Sequence, residues 1–161
     1  MNIPKKLFVL EMANNHMGDV KHAIKIINEY GKIIKKFPFK FGFKLQYRNL
    51  KTFIHKDLKK RNDLKFVKRF NETKLSILEF KKIINCMKKN NFIPICTPFD
   101  EKSVDLIVKH KFDIIKIASC SFNDWPLIEK ISKTTKPIIA STAGATLIEI
   151  EKIVNFFKNR N

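Results

Sequence analysis

The sequence predicts an α/β fold built on a parallel β-sheet. Short apolar runs of β-type character alternate five times with stretches of helical periodicity, which is typical of parallel strands joined by right-handed crossovers. Two capping boxes, Ser76 with Glu79 and Thr146 with Glu149, mark the starts of two helices. The length of 161 residues suits one domain, and 44% hydrophobic with 30% charged residues is typical of a globular protein.

The first two strand–helix units carry clear periodicity. Residues 7–10 predict a strand that leads into a polar turn, and Asp19 is placed to cap the helix that follows. Residues 39–46 predict the second strand because apolar and polar side chains alternate along them. The polar stretch 47–73 then interrupts the rhythm, and it is predicted to hold a short helix at residues 64–70.

The remaining units follow the same pattern. Strands are predicted at residues 92–97, 113–118 and 137–141. Helices are predicted at residues 76–89 and 100–109, with a third that has Pro126 in its first turn and a fourth that begins near Thr146. The pattern leaves two architectures open, an open doubly wound sheet and part of a (β/α)8 barrel. In both architectures ligands bind at the carboxyl ends of the strands.

Every predicted strand ends in polar side chains. In chain order these are Glu11, Lys44 with Gln46, Thr97 next to Phe99, Lys116 with Ser119, and Ser141. Two ammonium groups can hold the oxygens of a phosphate or a carboxylate, and serine hydroxyls can donate hydrogen bonds to the same oxygens. Glu11 is the one acid in the set, and a carboxylate that faces two ammonium groups stays ionised and can orient a hydroxyl or a water. The combination predicts an anion-binding enzyme site.

Structural roles are the alternative for each of these residues. A lysine at a strand end is often a solvated cap, and Ser or Thr after a strand is often a turn former or a helix cap. His16 lies beside Gly18, where it can stabilise a turn or act as a ligand. The sequence alone leaves these alternatives open.

The formal net charge of +18 raises the possibility of a polyanion-binding domain. Of the 33 basic residues only four are Arg, and the Lys residues are scattered through every segment. Since recognition of nucleic acids favours the guanidinium fork, we interpret most of these lysines as solvated surface and expect no nucleic-acid partner. No apolar run is long enough to cross a membrane, so we expect no membrane partner. Three cysteines without a CxxC pair, together with no recognisable signal peptide, predict a cytoplasmic protein.

The same strand-end residues resemble the N-acetylneuraminate (sialic acid) synthase family, in its phosphoenolpyruvate-condensing barrel. The family motif E-I-G-x-N-H-x-G is matched by residues 11–18 (EMANNHMG), and V-K-x-Q by residues 43–46 (FKLQ). The motif S-T-P-F with a following S-V is matched at residues 96–104, and Y-K-I-G-S-G-E with N-Y-P-L at residues 115–127. Residues 136–144 (KPIIASTAG) match K-P-I-I-L-S-T-G-M. The five motifs occur in the family's order and spacing.

This resemblance implies a TIM barrel that condenses phosphoenolpyruvate with an N-acyl amino sugar such as N-acetylmannosamine. The products would be a nine-carbon 2-keto sugar acid and inorganic phosphate. Carried onto the matching positions, the resemblance makes Glu11 the catalytic carboxylate. The residues that would bind phosphoenolpyruvate are Lys44, Lys116, Ser119 and Ser141. Gln46 would contact the sugar, and Thr97 and Phe99 would shape the pocket.

The sequence departs from the family pattern in three respects. Ser121 stands where the family has an acid, the G-S-G turn is Ala118-Ser119-Cys120, and Ala143 replaces the glycine after S-T. The family also implies a divalent metal, Mn or Mg, which binds the sugar aldehyde and whose histidine ligands come from later strands. The four histidines of this chain do not match those ligands, so no metal ligand is assigned here.

The length is the largest departure, because a TIM barrel needs about 250 residues and eight strands. We therefore expect residues 1–161 to be the N-terminal portion of such a barrel, with about five βα units and no second domain. We expect a fragment or a split gene, inactive alone, whose sheet edges are covered by the remaining barrel strands in the same or another chain or by a homo-oligomer. The alternatives are an inactive half-barrel that serves as an interaction or assembly module, and a generic basic polyanion-binding domain.

Overall fold

The computed structural model describes residues 2–160, which form five strands and seven α-helices. The strands are β1 (Leu7–Ala13), β2 (Lys40–Tyr47), β3 (Ile93–Pro98), β4 (Ile114–Ile117) and β5 (Ile138–Ala140). The helices are α1 (Val20–Ile34), α2 (Leu50–Phe53), α3 (Lys65–Glu72), α4 (Ile77–Lys89), α5 (Glu101–Lys109), α6 (Trp125–Ser132) and α7 (Leu147–Lys158). Two short 3₁₀ helices lie at Lys56–Leu58 and Ser119–Ser121.

The five strands form one parallel sheet in the order β1-β2-β3-β4-β5. A doubly wound sheet has a point where the strand order reverses, and this sheet has none. The sheet is therefore the curled half of a (β/α)8 barrel, and the barrel architecture is confirmed. The carboxyl ends of all five strands meet at one edge of the sheet.

Alternation along β2 shows how the sequence sets the two faces of the sheet. Phe43 and Leu45 are buried in the core between sheet and helices, where the Phe43 ring lies 5.0 Å from that of Phe92. Lys44 and Gln46 lie on the opposite face, which is the concave interior of the half-barrel. Because side chains alternate with a period of two, apolar packing of the odd residues directs the even polar residues toward the concave face.

The predicted helix starts are observed. Ser76 and Glu79 form the capping box of α4, and Thr146 and Glu149 form that of α7. The carboxylate of Asp19 accepts a hydrogen bond from the amide of Lys21 at the start of α1. Within residues 2–160, no helix is long and apolar enough to span a membrane.

Two parts of the fold differ from the sequence-based expectation. Strand β1 continues three residues beyond position 10, because its pairing with β2 runs on through an irregularity between Glu11 and Ala13. The polar stretch after β2 contains α2 and a 3₁₀ helix besides the predicted helix, which is observed as α3. Four-residue elements such as α2 carry too little periodicity to be detected in a sequence.

Candidate active site at the strand ends

A cluster of polar side chains lies on the concave face near the carboxyl ends of the strands; we call Glu11, Lys44, Thr97 and Lys116 the lysine cluster. Glu11 and Lys44 are directly opposite each other in the β1–β2 register, and their side chains form an ion pair. The Lys44 ammonium also lies 3.4 Å from the hydroxyl of Thr97 on β3. The Lys44 side chain is only 13% exposed whereas that of Glu11 is 43% exposed, so solvent reaches the pair from the Glu11 side.

Lys116 adds a second cation to this cluster from β4. Burial lowers the pKa of Lys116, the ammonium of Lys44 lowers it further, and Glu11 and Cys120 oppose the shift. The strand register places Lys116 on the same face of the sheet as Lys44, because Ile95 lies opposite both Lys44 and Ile114, and Lys116 follows Ile114 by two residues. One hydrogen of the Lys116 ammonium is donated to the carbonyl of Ile117, at 2.8 Å. An ammonium group has three donors, so a ligand oxygen can still be bound.

The two predicted serines lie beyond the ends of β4 and β5. Ser119 begins the 3₁₀ helix after β4 and is exposed. Ser141 is half-buried, and its amide donates to the carbonyl of Ile117 at 3.0 Å, which holds the end of β5 beside that of β4. Both serines thus lie at the same edge of the sheet as Lys116.

Gln46, Thr97 and Phe99 form a second group at the ends of β2 and β3. Gln46 is opposite Thr97 in the strand register, and the amide of Phe99 continues the ladder by donating to the carbonyl of Tyr47 at 3.1 Å. All the strand-end residues that the sequence singled out therefore lie at the same edge of the sheet, and side-chain contacts join Glu11, Lys44 and Thr97. Their roles toward a substrate remain predictions.

Arg48 is a site residue that the sequence reasoning missed. Its guanidinium lies over Phe99, 4.0 Å from the ring centroid, and it donates to the side-chain oxygen of Gln46 at 2.6 Å. Phe53 and Phe70 contribute two further rings around the same guanidinium. The available signal was the presence of aromatic residues within the otherwise polar stretch 47–73, which is unusual for a solvated loop.

His16 stabilises the turn after β1. Its side chain is 2% exposed, and its Nδ1 accepts a hydrogen bond from the amide of Gly18 at 3.1 Å. Burial, and to a smaller extent His22, lowers the pKa of His16 to about 4, so the ring is neutral at pH 7. Of the two roles that the sequence left open, the turn-stabilising one is observed.

A cavity of about 560 Å³ lies beside the lysine cluster rather than over it. It is lined by the ends of α3, α4 and α5 and by the segment that follows β2, and Gln46 is the one strand-end residue of the predicted set that borders it. Because no member of the lysine cluster lines this cavity, it is not the cleft that the lysine cluster faces.

The residues present do not fit a resident divalent ion. Within residues 2–160, no three His, Cys, Asp or Glu side chains are grouped as metal ligands. Glu11 is the one carboxylate of the lysine cluster, and it is already paired with Lys44. Since Mn and Mg need several oxygen or nitrogen ligands, no step at this site is assigned to a metal.

The fold and the site together define a class: a (β/α)-barrel protein whose polar groups gather where its parallel strands end. The chain belongs to the NeuB family, whose family model matches residues 42–161. It is 33% identical, over 94% of its length, to the N,N'-diacetyllegionaminic acid synthase of Campylobacter jejuni, of which it covers 46%.

Solved structures extend this relationship. A crystal structure from Chromobacterium violaceum, provisionally assigned as spore coat polysaccharide biosynthesis protein E, is 56% identical with a TM-score of 0.94. The match covers 97% of this chain and 46% of that one. The sialic acid synthetase of Leptospira borgpetersenii, crystallised with citrate, is 25% identical with a TM-score of 0.79, and the match covers 98% and 51% of the two chains. The chain thus spans about half the length of the relatives it matches.

Proposed function

We propose that this chain is the phosphoenolpyruvate-binding half of a nonulosonate synthase barrel. The observation that carries the proposal is the pairing of two cationic side chains, Lys44 and Lys116, on one concave face with a single counter-charge. Family membership and the relationship to a legionaminic acid synthase support the same reaction class.

Phosphoenolpyruvate carries a phosphate and a carboxylate close together, which suits two neighbouring ammonium groups. Lys44 and Lys116 would each bind oxygens of these groups, and the hydroxyls of Ser119 and Ser141 would donate further hydrogen bonds. Both lysines are partly buried, and a charge–charge interaction is stronger there than in bulk water. The binding energy therefore comes from the concave face, not from the scattered surface lysines.

Glu11 would act as the catalytic carboxylate. Its position opposite Lys44 keeps it beside the bound anion, and its exposed side leaves it open to a hydroxyl or a water. There it would accept a proton as the water adds to C2 of phosphoenolpyruvate, after C3 has bonded to the aldehyde carbon of the sugar. The overall reaction consumes phosphoenolpyruvate, an N-acyl hexosamine and water, and it yields a nine-carbon 2-keto sugar acid and phosphate.

The acceptor sugar would be bound by the second group of residues. Gln46 offers an amide near the ends of β2 and β3, while Thr97 and Phe99 limit the space around it. The remaining barrel strands, in the same or another chain, would complete the pocket and supply the divalent ion.

An inactive half-barrel that serves as an assembly module is the second candidate. It is favoured by Ser121, which stands in place of the family's acid and is buried in the structure. The two candidates differ in one respect that can be measured, because only the enzyme releases phosphate.

Phosphate release from phosphoenolpyruvate, with N-acetylmannosamine and Mn(II), tests the function directly. We expect none from the 161-residue chain alone, and turnover once it is combined with the remaining barrel strands, in the same or another chain. Glu11→Gln should abolish that turnover. A complete barrel that binds phosphoenolpyruvate but releases no phosphate from it in the presence of any N-acyl hexosamine would favour the assembly module. Turnover by the chain alone would contradict the expectation that it is incomplete.

A further inference from the structure

We propose that Arg48 is a positioning residue that fixes the side-chain amide of Gln46, so that Gln46 presents its NH₂ group to an oxygen of the acceptor sugar. The inference rests on the proposed function for the identity of the ligand. It goes further in assigning Gln46 the role of a hydrogen-bond donor and in giving a role to Arg48.

Three aromatic rings from separate segments hold the Arg48 guanidinium; we call Phe53, Phe70 and Phe99 the aromatic cage. The guanidinium carbon lies 4.0 Å from the centroid of Phe99, 4.8 Å from that of Phe70 and 5.8 Å from that of Phe53. The rings also contact each other, since Phe53 lies 5.6 Å from Phe70 and 6.0 Å from Phe99. A guanidinium stacked on several rings has little freedom to move.

The polar contact of this guanidinium settles the orientation of the Gln46 amide. Nη2 of Arg48 donates to Oε1 of Gln46 at 2.6 Å. A guanidinium carries only donors, so its partner must be the amide oxygen and the opposite orientation would place two N–H groups together. The Gln46 oxygen is thereby occupied, and the NH₂ group is the end that remains for a ligand.

The side-chain amide of Gln46 lies where the acceptor sugar would meet phosphoenolpyruvate. Gln46 follows Lys44 by two residues on β2, so both side chains extend from the concave face. Gln46 is bound by Nη2 of Arg48, whereas Nε of Arg48 is buried and has no hydrogen-bond partner among residues 2–160. A carbonyl or hydroxyl oxygen of an N-acyl hexosamine fits an NH₂ group held in this way.

The glutamine-to-glutamate exchange distinguishes a donor from an acceptor. Gln46→Glu keeps the size of the side chain and still pairs with Arg48, but it replaces the NH₂ group by an oxygen. If Gln46 donates to the sugar, this variant loses the hydrogen bond and gains a repulsive oxygen. If Gln46 accepts from a sugar hydroxyl, the variant binds as well as the wild type or better.

Binding of N-acetylmannosamine to the ¹⁵N-labelled chain, combined with the remaining barrel strands and at saturating phosphoenolpyruvate without a divalent ion, is the experiment. We expect the sugar to shift the side-chain NH₂ signals of Gln46, which are assigned by their loss in Gln46→Glu. We expect Gln46→Glu to weaken sugar binding about tenfold, in line with loss of a hydrogen bond and an unfavourable contact. Arg48→Met, which still packs within the aromatic cage, should weaken sugar binding several-fold, and Arg48→Lys should restore part of it.

Two controls separate positioning from a general structural effect. Arg61→Met removes an exposed guanidinium that pairs with Asp63 at 2.6 Å, and it should leave sugar binding unchanged. The second control is the phosphoenolpyruvate-induced rise in melting temperature, which Arg61→Met should leave at its wild-type size because the Arg61 guanidinium is exposed and pairs with Asp63.

Unchanged sugar affinity in Gln46→Glu or in Arg48→Met would overturn the inference. So would failure of the completed wild-type barrel to bind the sugar while phosphoenolpyruvate still raises its melting temperature, a result that leaves the phosphoenolpyruvate site intact. Failure of phosphoenolpyruvate itself to raise the melting temperature of the wild type would instead count against the proposed function.

Discussion

The carboxylate of Glu11 is paired with the ammonium group of Lys44 across two adjacent parallel strands, at positions that are directly opposite in register. The pair neutralises the more buried of the two charges when no anion is bound. A phosphate or carboxylate that binds Lys44 must compete with Glu11 for it. The same contact therefore sets the affinity of the site and places the proposed base beside the bound anion.

Glu11→Gln should tighten phosphoenolpyruvate binding a few-fold. The substitution frees Lys44 from its partner and removes a negative charge that repels the ligand. Isothermal titration calorimetry measures the change, with Glu29→Gln as the matched control because Glu29 pairs with Lys32 on the exposed face of α1 at 2.7 Å. Weaker binding by Glu11→Gln than by Glu29→Gln would show that Glu11 contributes directly to holding the ligand.

Lys116→Ala should weaken phosphoenolpyruvate binding about tenfold or more without unfolding the chain. A charge-assisted hydrogen bond contributes roughly 1.5–3 kcal/mol, and Lys116 provides such donors from the half-buried face of β4. Lys25→Ala removes the same charge from the exposed side of α1 and should have little effect. Equal affinities of these two variants would remove Lys116 from the site.

Stability should fall as the pH drops below about 6.5, because His16 is buried as the neutral ring. Its folded-state pKa of about 4 lies below the ordinary value of 6.5, so the unfolded chain takes up the proton first. The loss from this residue is about 2 kcal/mol at pH 5. His110 adds to the trend, since burial also lowers its pKa.

Urea unfolding at pH 7 and pH 5 measures this dependence. His16→Gln removes the titrating ring, so the difference between the two pH values should shrink by about 2 kcal/mol. His22→Gln, on the exposed surface of α1, is the matched control and should reduce the difference only slightly, because His22 is the smaller of the two causes that lower the pKa of His16. An undiminished difference in His16→Gln would mean that other groups cause the acid sensitivity.

Gly18→Ala should destabilise the fold more than Gly144→Ala. Both glycines have positive φ angles, +73° and +83°, where a side chain adds strain of about 1 kcal/mol. A Cβ at Gly18 would in addition lie 2.5 Å from the carbonyl oxygen of Glu72, whereas at Gly144 it would meet no atom within 4 Å. We expect a loss of roughly 2–4 kcal/mol for Gly18→Ala, which thermal melts would detect. Equal losses would show that the turn can move away from α3.

The faces of the strands and the starts of the helices could be predicted from local sequence. Alternation along residues 39–46 placed Lys44 and Gln46 opposite the apolar side chains, and the structure has them on the concave face. The two capping boxes are observed because they depend only on residues three positions apart. The barrel order of the strands, in contrast, depends on pairings between distant segments, and periodicity does not encode it.

The surroundings of Arg48 could not be predicted for a related reason. Phe53 lies in a four-residue helix and Phe70 in α3, and their approach to Phe99 depends on how the segment after β2 folds back over β3. The role of His16 was equally open, since a buried histidine that accepts a hydrogen bond within a turn and an exposed histidine that acts as a ligand have the same sequence pattern. The hydrogen bond from the amide of Gly18 to His16 distinguishes the two roles, and only the structure shows it.

A thermal melt of the chain with millimolar phosphoenolpyruvate tests the central claim most directly, with 3-phosphoglycerate at equal charge and ionic strength as the control. A ligand at about 100 times its dissociation constant adds roughly 2.7 kcal/mol, which corresponds to a rise of about 5–10 °C for a domain of this size. The lysine cluster predicts this rise with phosphoenolpyruvate and little change with 3-phosphoglycerate. Equal rises with both anions would contradict it, because they would show a general attraction to a surface of charge +18.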